Sequence, residues 1–456
     1  MSKKDDIVKI LLPESEIPKT WYNIAADIPG GLPPMYNPQT NKPLVPSDLE
    51  NIFCKEIIEQ EISSERFIDI PDKVRDQYRS FRPSPLFRAR GLEKAIGTNC
   101  RIYYKYEGGN ATGSHKLNTA LAQAYYNKAA GIKRISTETG AGQWGTAISM
   151  ACGIYDMDCT VYMVKVSYNQ KPYRRSVMKT FGADIYASPS ELTQSGRAIL
   201  AKDPDCTGSL GIAISEAVED AMLHSDTNYA LGSVNNHVCM HQTLIGLESK
   251  RQLEYIDEYP DVVIACCGGG TNFSGLAFPF LADKFKGTKV RAIAVEPESC
   301  PTLTKGVYDY DYGDVVKMTP IMRMYTLGHE FIPSGIHAGG LRYHGDSPIV
   351  SKLYHDGFIE AKAYPQRTVF DAAVTFARTE GIVPAPESSH AIRGAIDEAL
   401  MYDQKGEEKS ILFCLSGNGY FDMAAYDTYF SGEMQDSAFN SANIESSLSQ
   451  LPKICE

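Results

Sequence analysis

Three times in this chain an apolar stretch of strand composition runs into a glycine-rich loop, and each loop opens a helical pattern. Arg101–Tyr106 leads to Gly113-Ser114-His115-Lys116, then to Leu117, Ala120, Leu121, Ala124 and Tyr125 at helical spacing, stopped by Gly131. Ile132–Thr137 leads to Glu138-Thr139-Gly140-Ala141-Gly142-Gln143-Trp144-Gly145 and a helix over roughly 145–156. Val262–Cys267 leads to Gly268-Gly269-Gly270-Thr271-Asn272 and a third helix. The same composition predicts strands at Cys159–Val166, Ala183–Ala187, Lys289–Val295 and Ser410–Leu415, with a helix near 171–181. Strands alternating with helices predict parallel sheets covered by helices on both faces, an α/β fold.

The 456 residues suffice for a large core in two lobes. Residues 1–60 form a proline-rich extension in which Trp21, Tyr22, Ile24 and Tyr36 supply apolar anchors, so an ordered segment wrapped over the body is expected. The expected division continues with an N-terminal lobe over 61–235, a C-terminal lobe over 236–430 and a polar, partly loose tail over 431–456. With 45 basic against 56 acidic residues the net charge is -11, and no long basic run is present, so nucleic acid is not an expected partner. No apolar run is long enough for a bilayer, and Met1–Asp6 turns acidic at once, so no membrane and a cytoplasmic location are expected. The cysteines number eleven, an odd count with no CxxC spacing, which reads as free thiols.

The loops carry the chemistry. Lys116 stands at the mouth of a helix, where the dipole disfavours a plain structural cation. That place suits an amine that loses its proton and attacks a carbonyl to form a Schiff base; a solvated loop lysine is the other reading of this stretch. Gly140, Gly142 and Gly145 satisfy GxGxxG, but no acid closes the next strand to hold a ribose, so a dinucleotide is not indicated. What remains is a row of backbone N–H groups at a helix start, fit for a carboxylate, with Glu138 at the entrance as a catalytic acid or a helix cap. Gly268–Gly270 with Thr271 and Asn272 reads as a phosphate cradle lacking a nucleotide-loop lysine, or as a tight turn. His237 and His241 lie four apart, yet no third ligand of suitable spacing accompanies them, so no metal site is expected. An amine, a carboxylate cradle and a phosphate cradle together are the parts that pyridoxal phosphate needs to act on an amino acid.

These stretches, with Glu380-Gly381-Ile382-Val383-Pro384-Ala385, Glu387-Ser388-Ser389-His390-Ala391 and Leu415-Ser416-Gly417-Asn418-Gly419, occur in the order seen in the tryptophan synthase beta chain. The resemblance covers roughly 80–425. The long N-terminus, Trp144 and Gly339–Gly345 are similar to the divergent second type of that family. The resemblance implies a two-lobed fold type II pyridoxal-phosphate enzyme with a mobile segment over 131–232. It would join indole to L-serine, with Lys116 holding the cofactor and moving the alpha proton, and Glu138 holding the indole N–H. His115, Ser233, Gly268, Gly269, Gly270, Thr271 and Asn272 would bind the phosphate. Gln143, Cys266, Glu380 and Ser416 would surround the ring, Ser416 at the pyridine nitrogen. Thr139, Gly140, Ala141, Gly142, Gln143 and Trp144 would take the amino-acid carboxylate and pack near indole. A monovalent cation near Gly268 and Tyr343, a homodimer and an alpha-chain partner are further implications. The chain departs from the common form in carrying Trp144 for a histidine and Arg342 for an aspartate. A guanidinium there suits O-phospho-L-serine as donor; a structural ion pair is the alternative. Rival readings are another beta-replacement or serine/threonine deaminase on the same scaffold, or a non-catalytic paralogue.

Overall fold

In the computed structural model, residues 7–437 and 441–454 are described. Two sheets organise them. The larger has seven strands in the order Lys9–Ile10, Leu86–Arg88, Arg101–Tyr106, Ser410–Leu415, Val262–Cys266, Arg291–Pro297 and Glu360–Tyr364. The strands from Arg101–Tyr106 onward are parallel; at one edge Leu86–Arg88 runs against them and pairs antiparallel with both Arg101–Tyr106 and Lys9–Ile10. The smaller sheet is wholly parallel, in the order Asp184–Ser188, Asp158–Val164, Arg134–Thr139, Thr227–Ala230.

Why the central strands read as unbroken apolar runs follows from their cover. Val263, Ala265, Leu412 and Cys414 pack on the side of helix Thr271–Lys284, with Phe273 and Leu276. Val262, Ile264, Ile411 and Phe413, the alternate positions, pack on the opposite face with Phe376, Ala391 and Ile392 of helices Gln366–Glu380 and Pro386–Gln404. Each large side chain so buried contributes about 1.5–3 kcal/mol. The smaller sheet is built the same way. Ile135, Val161 and Met163 face helices Leu117–Ala129 and Gln143–Ile154. Tyr162, Val164 and Tyr229 face helix Leu210–Met222 and the N-terminal residues Leu49, Ile52 and Phe53.

Several expectations shift. The strand expected over Cys159–Val166 stops at Val164, because Lys165–Gln170 turns helical and Pro172 opens the next helix. The strand expected at Ile132 begins at Arg134, and its helix begins at Gln143. The lobe boundary expected at 235 does not follow the sheets: Arg101–Tyr106 pairs along its whole length with Ser410–Leu415, so the early strands belong to the larger sheet. The tail includes helix Ser441–Leu448, and Ile444 is buried against Leu327 and Phe331, so that part is docked. The N-terminal segment packs onto the body, with Trp21 and Ile24 fully buried. Among the described residues ten cysteines are free and buried, and Cys455 lies outside them. No helix among these residues is long and apolar enough to cross a membrane.

Candidate active site

The carboxyl ends of parallel strands from both sheets face one crevice, the usual place for a ligand in open α/β sheets. From the larger sheet come Gly268–Gly270 after Cys266, Ser416 after Leu415, and the loop that carries His115 and Lys116. From the smaller sheet come Glu138, the loop to Gln143, and Ser233 after Ala230. One cavity is lined by His115, Lys116, Gln143, Ser233, Cys266, Gly268, Gly269, Gly270, Thr271, Asn272 and Ser416, so the structure brings most of the expected residues together.

Lys116 immediately precedes helix Leu117–Ala129. It keeps some accessible surface where it lines the cavity, and its amine donates to the Gly232 carbonyl at 2.6 Å. Burial of that amine pushes its pKa down to about 8, with Glu138 pulling the other way. Glu138 is 3% exposed and its Oε2 has no hydrogen-bond partner. Burial raises its pKa to about 7, against the Tyr229 hydroxyl and Lys116 beside it. Two groups of opposite ordinary charge are thereby poised near neutrality, as a proton-handling pair requires. Burial also lowers His115 to about 3, so its ring is neutral and its Nδ1 is unpartnered.

The glycine loop is a fitted cradle. A Cβ on Gly268 would meet the Gly340 carbonyl at 2.7 Å, and one on Gly269 would meet Ser233 Oγ at 2.7 Å. Gly270 has φ +94° and caps helix Thr271–Lys284, whose first N–H groups open into the cavity. Beside it Val234 holds φ +76°, which a β-branched residue rarely adopts. The Val234 N–H donates to the Gly269 carbonyl at 3.0 Å, so that strain ties the Ser233 loop to the cradle. Ser416 Oγ lies 2.7 Å from Ser388 Oγ and 3.6 Å from Cys266 Sγ.

A family model for the pyridoxal-phosphate dependent enzymes matches residues 78–417. The chain is similar to the tryptophan synthase beta chain 2 of Methanosarcina mazei, 61% identical over 94% of this chain and 97% of that one. The Aquifex aeolicus protein of the same name is 58% identical, over 94% and 100%. The chain belongs to the tryptophan synthase beta chain family of pyridoxal-phosphate dependent enzymes. Solved structures agree in fold: a fungal L-serine ammonia-lyase from Rhizomucor miehei has a TM-score of 0.57 at 16% identity, covering 77% of this chain and 98% of that one. A threonine deaminase isoform from Solanum lycopersicum has 0.55 at 18%, covering 76% and 87%.

Some side chains expected at this family site are engaged elsewhere. Glu380 ends its helix and accepts from the Leu92 N–H at 2.7 Å, capping helix Arg90–Ile96; it does not line the cavity. Trp144 points into the core of the smaller sheet, its indole N–H donating to Thr137 Oγ1 at 2.7 Å, and lines neither the cofactor cavity nor its neighbour. Thr139 Oγ1 accepts from the Gly145 N–H at 3.0 Å and so stabilises the loop. Gly140 packs against Gly339, whose carbonyl its Cβ would meet at 2.9 Å, and Gly142 has φ +95°. Ala141 lies buried against Gly339. The Tyr343 carbonyl accepts from Thr302 Oγ1 at 3.1 Å and Cys300 Sγ at 3.2 Å, which occupies both lone pairs expected for a cation. His237 and His241 are paired with Glu61 and Gln60, each at 2.7 Å. Arg342 is buried and donates to Ser167 Oγ at 2.6 Å; its Nε is unpartnered, and among the described residues no carboxylate pairs with it, so the structural ion pair is not what it forms there.

Sequence reasoning gave no role to Glu387. One of its oxygens accepts from the Gly340 N–H at 2.9 Å and the other from Gln143 Nε2 at 2.8 Å. It therefore ties the Gln143 loop of the smaller sheet to the crevice wall. The signal was an acid in the first turn of a helix opened by Pro386.

Proposed function

We propose that this chain joins indole to the β-carbon of L-serine, or of O-phospho-L-serine, to give L-tryptophan. The observation that carries the reading is Glu138: a buried acid with one unpartnered oxygen that lines an apolar cavity, and that cavity shares Ser233 with the Lys116 cavity. Plain deamination of serine has no use for such a pairing.

The Lys116 cavity fits the cofactor of the family. It offers a lysine amine of lowered pKa, a glycine cradle closed to any Cβ, a helix N-terminus for phosphate, and unpartnered polar atoms on His115 and Asn272. Pyridoxal phosphate supplies the electron sink that lets the donor lose its α proton and its β substituent. Lys116 would hold its aldehyde and would carry the α proton. Ser233, Gly268, Gly269, Gly270, Thr271 and Asn272 would hold the phosphate, with His115 packed beside it. Ser416, a hydroxyl rather than an acid, would leave the ring nitrogen neutral, and Cys266 would flank the ring. The backbone of Thr139–Gly142 orients the donor carboxylate, and Gln143, held by Glu387, fixes the loop that carries it. Glu138 takes the indole N–H and the charge that develops as C3 bonds. Closure of the segment 131–232, which contains the whole smaller sheet, excludes water.

Arg342 lines a small separate pocket with Ser209, Leu210 and Gly339 rather than the Lys116 cavity, and it bears on phosphoserine as donor only as a buried guanidinium with hydrogen-bonding capacity to spare near the Ala141 loop. The assay is tryptophan formation by the purified holoenzyme from indole with each donor in parallel. Pyruvate released faster than tryptophan in the presence of indole would favour a deaminase. An Arg342→Asp variant is expected to lose about tenfold in preference for phosphoserine; an unchanged preference removes Arg342 from donor choice. A cytoplasmic homodimer that can meet an alpha chain completes the proposal, and native mass with and without an alpha chain tests the assembly.

A further inference from the structure

The apolar cavity beyond Glu138 has walls from two sources. Its inner end holds Glu138, Tyr229 and Ser233, and Ser233 also lines the Lys116 cavity, so the two cavities meet there. Its outer wall is Met35, Leu44, Leu49, Ile52 and Phe53, all from the proline-rich N-terminal segment.

That segment is held at three points. The Ile52 carbonyl accepts from the Tyr229 N–H at 2.9 Å. Tyr36 and Ile321 exchange two backbone hydrogen bonds at 2.9 Å. Glu61 accepts from the backbone N–H groups of Asn236 and His237 at 3.1 and 3.0 Å. Phe53 sits over Tyr229 with ring centroids 5.9 Å apart, and Leu49 and Phe53 are 3% and 7% exposed. A segment so fixed would close a core to native density if packing were its only role. Here it stops short and leaves an apolar space. Two acids line that space. Glu61 is fully engaged by the helix start at Asn236, whereas Glu138 keeps an unpartnered oxygen. Apolar walls with the unpartnered Glu138 Oε2 and Tyr229 hydroxyl at the inner end fit a neutral heteroaromatic ring carrying a single N–H donor.

We infer that the N-terminal segment 35–53 is the size filter for the acceptor, with Leu49 and Phe53 as specificity-determining residues. The inference rests on the function proposed above. With its N–H at Glu138 and its C3 toward the Lys116 cavity, indole presents its benzo ring to this wall.

The test is the ratio of kcat/KM for 5-methylindole to that for indole, on holoenzyme with L-serine saturating. In Phe53→Ala the ratio is expected to rise about tenfold, since one methylene of space or clash in an apolar pocket is worth about 10–200-fold. Leu49→Ala is expected to move it the same way. A loss of stability alone would lower both rates together and leave the ratio in place. If Phe53→Ala does not yield folded holoenzyme, Phe53→Leu and Leu49→Ala carry the measurement. An unchanged ratio in every folded variant overturns the inference while the tryptophan reaction stands. If the unmodified enzyme forms no tryptophan from either donor, the functional reading falls and the size filter falls with it.

Discussion

Two lysine–glutamate neighbourhoods lie inside this molecule, and they are built in opposite ways. In the first, Lys105 donates to Ser84, Glu248 and Gln252 at 2.6–2.8 Å, and Arg82 joins Glu248 to Glu107. Every charge has several partners, and the cations beside Glu107 hold its pKa down to about 2 against the burial that would raise it. In the second, Lys116 and Glu138 form no ion pair; the lysine spends its protons on one carbonyl, and the carboxylate leaves an oxygen unpartnered. Their pKa values move toward each other, to about 8 and about 7. Burial draws the Lys105 pKa down as well, but its carboxylate and carbonyl partners oppose that, whereas the Lys116–Glu138 pair has few partners to fix its protons. The difference separates a charge cluster that holds strands together from one that moves protons.

The largest expected effect tests the second neighbourhood. Lys116→Ala should lower tryptophan formation at least about 10³-fold, because no other amine lines the cavity to replace it. Its denaturation midpoint should not fall, and a midpoint that falls sharply would put Lys116 in the structural class. The converse applies to the first. Lys105→Met strips a cation from Glu248, whose side chain is fully buried, and should cost about 3–5 kcal/mol in denaturant unfolding. The folded variant should keep its turnover; a stable variant that lost turnover would reverse the assignment.

Much of this was legible in the chain. Ser410–Leu415 and Arg101–Tyr106 read as strands to the residue, since each is an apolar or aromatic run bounded by charges or glycine. Their pairing was not, because nothing local in either strand names its neighbour. Lys116, Glu138 and the three glycines were legible because each stands where packing alone gives it no reason to stand. For Trp144 and Glu380, a motif fixes order along the chain but not the direction of a side chain. Trp144 satisfies Thr137 in the core, and Glu380 caps a neighbouring helix. The N-terminal segment was opaque for a different reason. Its residues Leu44, Leu49 and Phe53 lie in a proline-rich stretch with no sustained period, and only the folded cavity shows that they share a wall.

The finest test of the comparison is Glu138→Gln, which keeps shape and removes the titration. Turnover with indole should fall about 10²-fold, and the parent's rise in kcat/KM through about pH 7 should vanish in the variant. Stability separates the two neighbourhoods further. In the cofactor-free protein Glu138 titrates near 7 against an ordinary 4.5, so the folded state binds its proton more tightly than the unfolded state does. Burial of the carboxylate therefore costs stability above pH 7, and that cost fades as pH falls toward 4.5. Glu138→Gln should be more stable than the parent at pH 8, by about 1–2 kcal/mol, less than the full shift implies because a buried amide is also short of partners. The gain should disappear near pH 5. Removing a carboxylate from the Lys105 network, as in Glu107→Gln, has the opposite sign: its pKa is depressed, so it contributes stability above pH 4.5 that the variant loses. Denaturation midpoints of both variants at pH 8 and pH 5 give the two signs directly. Equal losses at pH 8 would mean that Glu138 is held as Glu107 is, by partners that stabilise its charge.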